Sequence, residues 1–226
     1  MRSSTFLSQM KDWGNTMYAS EQNIAGIIAR GPDRRSTLAA AWMSWGAATG
    51  AQDIFEASYK YFKEVIGTIQ ADGHISSVIS KRWTSTVPAQ NRLRYTNMVI
   101  GYAVMAAETA ENMNVPDYEL KNARGQNLRD AIRWLLSSAM DENHTANSPD
   151  NQDLTFAYRV KSTGAMNISW AEAYRARFPN DKINELIVHF LEETNSSYYS
   201  SAGAYGAHYG GYTTCFFKPV KEIIAY

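Results

Sequence analysis

The chain predicts an all-α fold of antiparallel helix pairs, and three observations carry that expectation. Apolar residues recur every three or four positions through most of the 226 residues, the spacing that lines one face of a helix. The interruptions are short and rich in helix-stopping residues: Gly31-Pro32, Asp72-Gly73, Asn114-Val115-Pro116-Asp117 and Pro179-Asn180-Asp181. The helical stretches are of similar length, so short connections make successive helices antiparallel neighbours. Bundles, solenoids and closed α/α toroids all satisfy this pattern. The chain shows no sequence repeat, which disfavours a simple tandem array. No shift in composition marks a boundary, so residues 1–226 read as one helical domain.

Taken in order, Phe6, Leu7, Met10, Trp13 and Met17 form a first stripe, continued by Ile24, Ile27 and Ile28. Leu38 to Ala48 is rich in alanine and carries Trp42, Met43 and Trp45, which suits a closely packed helix. Asp53 to Ile69 places Phe55, Tyr59, Phe62 and Ile66 on one face. Ile75 to Val87 has no clear period and reads as a loop or a short helix. Pro88 suits the first turn of the next helix, where its missing N–H costs nothing; that helix runs to about Met113. Leu120 to Met140 reads as a further helix, with Leu128, Ala131, Ile132 and Leu135 inward. Asn143 to Asp153 is polar and reads as a surface loop. Ser169-Trp170-Ala171-Glu172 has capping-box spacing and starts a helix. Ile183, Leu186, Ile187, Phe190 and Leu191 keep a 3.6-residue period. Residues 196–217 are dominated by Ser, Gly, Ala and Tyr and read as an irregular tail with one short strand.

Composition narrows the function classes. Lysine plus arginine and aspartate plus glutamate both number 22, so the formal charge is zero. A nucleic-acid binder usually carries a basic excess, and none is expected here as a partner. A locally basic cleft could still hold a polyanion. Hydrophobic residues at 45% support a real core. Cys215 is the single cysteine, which rules out an intramolecular disulfide and a cysteine-based zinc site. The four histidines, His74, His144, His189 and His208, are not spaced as metal ligands. No phosphate-binding loop and no Gly-x-Ser-x-Gly elbow is present. No cofactor is therefore expected. No apolar run approaches membrane-spanning length, and the N-terminus has no continuous hydrophobic signal core. The compartment stays open.

The segment Leu93-Arg94-Tyr95-Thr96-Asn97 is the most informative. A phenol normally keeps its proton near neutral pH, but nearby cations favour the phenolate and make it a usable base. Arg92 shares a helix face with Tyr95, and Lys81, Arg82 and Arg94 are close in sequence. The plain alternative is a tyrosine at the edge of an amphipathic helix's core. Arg34-Arg35, after a Gly-Pro-Asp turn, reads either as surface charge or as a clamp for a carboxylate, which the planar guanidinium fits bidentately. In the stretch Gly203 to Gly211, Tyr205 and His208 read either as the lining of a sugar-binding surface or as part of a flexible loop. Asp72 reads as a turn residue and His189 as exposed or structural.

Three blocks together resemble the alginate lyase family, in particular its poly-mannuronate lyase branch. The first is Trp45-Gly46 to Phe55, then Tyr59 and Ala71-Asp72-Gly73. The second is Leu93-Arg94-Tyr95-Thr96-Asn97 with the apolar run to Ala107-Glu108, similar to the family's Leu-His-Tyr-His-Asn segment. The third is Trp170-Ala171-Glu172-Ala173-Tyr174 with Arg177-Phe178-Pro179, then Tyr199-Ser200 and Tyr209 to Thr214. The resemblance implies an incomplete α/α toroid with a cleft for an acidic polysaccharide, and β-elimination at a 1,4-linked uronic acid. It implies Tyr95 as base and acid and Arg82 as the arginine that neutralises the C5 carboxylate. Arg34, Arg92, Arg94, Trp45, Tyr205 and His208 are the expected substrate contacts. The chain departs from the family at its Asn-Asn-His motif: counting back from Phe55 puts Pro32-Asp33-Arg34 there. Arg34 would then stand in for the neutralising group. A non-catalytic glycan-binding or structural domain of the same fold is the alternative. A glycoside hydrolase would need two carboxylates across one cleft, and no convincing pair stands out. Without a leader, a lyase would meet exopolysaccharide as a virion-borne depolymerase freed by lysis; with a leader removed, it would be periplasmic or secreted.

Overall fold

The computed structural model describes residues 4–22, 31–76, 91–141, 168–190, 205–206 and 211–212. Their helices are α1 (Ser4–Gln22), α2 (Pro32–Thr49), α3 (Gln52–Gly67), α4 (Asn91–Asn112), α5 (Leu128–Met140), α6 (Trp170–Arg177) and α7 over 183–190. The all-α expectation holds for them. A two-residue antiparallel pair, β1 (Tyr205–Gly206) and β2 (Gly211–Tyr212), sets Tyr205 opposite Tyr212. That pair falls within the tail of residues 196–217, where one short strand was expected; the polar loop from Asn143 and the start at Pro88 lie outside the described residues. No described helix is long and apolar enough to cross a membrane.

α2 begins earlier than its Ala-rich stretch because Pro32 occupies its first turn, with φ already set for a helix. Gly50 and Ala51 connect α2 to α3, which returns antiparallel. Arg35 Nε reaches Glu64 Oε2 at 3.2 Å, so the start of α2 meets the end of α3. The α3 stripe is covered as its period predicts: Phe55, Phe62, Val65 and Ile66 are buried, and Tyr59 stacks between Phe55 and Phe62. Each such burial contributes roughly 1.5–3 kcal/mol.

α4 is the central helix. It packs on α2, α3, α5 and α6, and Leu93, Val99, Ile100, Ala103, Val104, Ala106, Ala107 and Ala110 are all buried. Its alanines let neighbouring helices approach closely, and Ser44 of α2 shares a 3.0 Å hydrogen bond with Thr109 of α4.

One boundary expectation is corrected, and one capping expectation. The helix expected from Leu120 starts only at Leu128. Asn127 caps it: its side chain accepts from the Arg129 and Asp130 N–H groups, and Asp130 returns a bond to the Asn127 N–H. Upstream, Asn122 donates to the carbonyls of Ile66 and Ile69 at the end of α3. That side chain holds residues before the cap in a turn, which local spacing does not reveal. At the second site α6 does start at Trp170, but the Ser169 hydroxyl makes no cap bond. Glu172 instead pairs with Arg175. The capping-box spacing located the start but not the interaction.

The first helix forms as expected, with its stripe outward. Phe6, Met10, Trp13 and Met17 are exposed, Trp13 at 61%. α1 lies on α2 through Gly14, where a Cβ would run into the Trp45 ring, and through Tyr18, whose ring meets Trp42 edge-on at 5.3 Å.

Candidate active site

Tyr95 stands in the second turn of α4. Leu93, Thr96 and Asn97 around it are buried, while Tyr95 is half-buried and packs against the main core. A phenol so placed has its ring fixed by apolar neighbours and part of its surface open to a ligand. The buried side of this turn is tied to α6: Trp170 Nε1 donates to Asn97 Oδ1 at 2.8 Å. Two of the motif blocks recognised in the sequence thus meet through one hydrogen bond across 73 positions.

The remaining predicted residues are placed as follows. Arg34 is exposed in the first turn of α2, where the Asn-Asn-His motif was expected. Its neighbour Arg35 is the one engaged with Glu64. Trp45 belongs to the smaller apolar cluster of Leu38, Trp42 and Ile54, and its Nε1 donates to Asn15 of α1 at 3.4 Å. Tyr95 and Trp45 therefore pack in different clusters. The backbone of α4 carries Arg92 and Arg94, and β1 carries Tyr205. Arg82 and His208 lie outside the described residues.

The other end of α4 carries a polar network that sequence reasoning missed. Arg177 grips Glu108 with two bonds, Nη2 to Oε2 at 2.6 Å and Nε to Oε1 at 3.2 Å. Tyr118, fully buried, donates its hydroxyl to Glu108 at 2.9 Å. Burial, reinforced by the Glu108 charge, holds the Tyr118 phenol well above its ordinary value, so it remains a donor. Tyr174 donates to Asp181 at 2.9 Å, and Arg129 bridges Asp181 and Glu119. Asp181 is held low by bonds from the Ile183 N–H, Tyr174 and Arg129, against the opposing effect of burial.

Beside this network Tyr59 donates to Asp117 at 2.6 Å. Asp117 is only 1% exposed and its Oδ2 has no partner among the described residues. Burial pushes its carboxyl up to about 6; Glu111 adds to this, while the Tyr59 bond and Lys63 oppose it. Carboxylates in a turn after Pro116 look solvated in sequence. Only the approach of α3 reveals that this one is buried.

The Ala71-Asp72-Gly73 turn keeps its expected role. Asp72 Oδ1 accepts from the His74 N–H at 3.1 Å and lies 2.7 Å from His74 Nδ1. Gly73 has φ +97°, and a Cβ there would fall 2.7 Å from the Asp130 carbonyl oxygen, so the turn requires glycine on both counts. His189 is exposed on α7, as read. Among the described residues no group of three His, Cys, Asp or Glu side chains could hold a metal ion.

A family model described as alginate lyase matches residues 5–145, which include the first two motif blocks, Tyr95 and the Glu108 end of α4. The third block, from Trp170 onward, lies beyond the matched residues, and α6 brings it against them through Asn97 and Glu108. Searches of curated proteins and of solved structures return no match. The family match covers more than half of the sequence and includes the helix that bears the candidate tyrosine: the chain belongs to the alginate lyase family.

Proposed function

We propose that the protein is a polysaccharide lyase that cleaves a uronic-acid-containing glycan, such as alginate, by β-elimination. The observation that carries this reading is the half-buried Tyr95 on a tethered turn of α4, inside the residues that match the family. In the proposed reaction Tyr95 as phenolate takes the C5 proton. The C5–H electron pair becomes the C4=C5 double bond, the C4–O4 bond breaks, and the departing O4 receives a proton, from Tyr95 itself or from water. Negative charge spreads onto the C5 carboxylate as the proton leaves, so a cation placed there in advance lowers the barrier. Arg34 and Arg82 are the proposed cations, with Arg92, Arg94, Trp45, Tyr205 and His208 as contacts along the glycan. The helix pairs would close as an incomplete α/α toroid around that cleft.

One observation favours a second reading, a glycan-binding or structural domain without turnover. By the ungapped count from Phe55, Pro32-Asp33-Arg34 stands where the family has its amide and histidine, and Pro32 is buried in the first turn of α2. Incubation with a panel of polyuronates, read by the absorbance of the unsaturated product, separates the two. Product that disappears in Tyr95→Phe supports the lyase. Glycan binding with no product on any substrate supports the second reading and overturns the first.

A further inference from the structure

Tyr95 and Asn97 share one turn of α4, and a base needs its position held closely. Asn97 follows Tyr95 by two residues, which places it about 200° around the helix axis. The two side chains therefore occupy opposite sides of the same turn, and a hold on Asn97 sets the rotation that presents Tyr95. That hold is unusually specific. Trp170 is 1% and Asn97 6% exposed, and the indole N–H has one hydrogen to give, directed at Asn97 Oδ1. Breaking the bond would take the indole donor's partner away from a site 1% exposed, so the register of α4 against α6 is selected sharply.

We propose that Trp170 and Asn97 are a positioning pair for Tyr95, with α6 setting the rotation of the catalytic turn. The proposal rests on the reading of Tyr95 as the base. Trp170 touches no reacting atom, and its effect reaches the reaction through Asn97 and the α4 backbone.

The test places 3-fluorotyrosine at position 95 of the full chain and follows its ¹⁹F resonance together with alginate turnover. Trp170→Phe keeps the ring and removes the donor; Asn97→Leu keeps the shape and removes the acceptor. Each is expected to displace the resonance and lower kcat roughly tenfold to a hundredfold, with KM changing by less than about twofold. The double variant should be no worse than the worse single one, because both remove the same bond. Tyr118→Phe, at the far end of α4, is the control: it should lower stability and leave both the resonance and kcat in place. An unmoved resonance and full kcat in folded Trp170→Phe overturn the proposal, and so does an equal disturbance by Tyr118→Phe. Should Trp170→Phe fail to fold, Asn97→Leu against Asn97→Asp, which keeps the acceptor, decides the same question. A native chain that makes no product sinks the lyase reading alone, and the resonance then judges the pair.

Discussion

α6 grips α4 at both ends, and the two grips differ in kind. Near the start of α4 the contact is a neutral bond between buried groups, Trp170 to Asn97. Near its end the contact is ionic and branched: Arg177 on Glu108, with Tyr118 on the same carboxylate and Asp117 in the following turn receiving Tyr59. A neutral bond with one donor and one acceptor fixes an orientation and is insensitive to salt and pH. A charged network tolerates small displacements because several donors share one acceptor, but it carries titratable groups whose ionisation depends on burial. The candidate base stands at the neutral end. Tyr118 and Asp117, whose protonation the fold displaces, stand at the other. On the proposed reading, orientation is set at one end of α4 and the displaced titrations of Tyr118 and Asp117 lie at the other.

The sharpest test of that division is Tyr95→Phe. Loss of the base should lower β-elimination by about 10²–10⁴-fold while the melting curve is retained, because the phenol ring stays. Comparable losses of turnover and of stability would place Tyr95 among the structural residues instead. Next in size is the pH response of the charged end. The Asp117 carboxyl is raised to about 6 in the folded chain, above its value when unfolded, so the folded state holds the proton more tightly. Its stabilising contribution is complete below the unfolded value and is lost as pH rises through the folded one. Between pH 4 and 7 the native chain should lose about 2–3 kcal/mol from this group. Asp117→Asn should flatten that loss in denaturant titrations, and an unchanged slope would separate Asp117 from the pH response. Tyr118→Phe comes third, costing about 1–2 kcal/mol for a bond to a charged acceptor with turnover unchanged. The smallest effect is expected at the surface. Glu64→Gln breaks the Arg35 pair, and because Glu64 is half-exposed the cost should stay below about 0.5 kcal/mol in chemical denaturation.

These outcomes also separate what could be read along the chain from what could not. The stripes of α1 and α3 look alike in sequence, and both segments are helices. Yet Phe55, Phe62 and Ile66 are buried, while Phe6, Met10, Trp13 and Met17 are exposed. Period depends on neighbours three and four residues away, and so it is local. Burial depends on which other element arrives, and that is not. The same distinction applies to the site. Leu93-Arg94-Tyr95-Thr96-Asn97 was recognisable by residue type and order, and so was Trp170-Ala171-Glu172. The bond that joins them spans 73 positions, and nothing in either segment names the other. Likewise Asn122 reads as a helix residue until the carbonyls at the end of α3 arrive to be capped.

By itself the sequence determined the helices, most of their stops, the glycine of the Asp72-Gly73 turn, the family and the tyrosine on which the proposed chemistry turns. Each follows from residue type and short-range spacing, whose energies act within a few positions of the chain. The tertiary structure alone decided which stripe is covered, where α5 begins, that Asp117 is buried, and which side chain holds the turn of Tyr95. Those depend on desolvation and on hydrogen bonds between distant segments, interactions that do not exist until the segments meet.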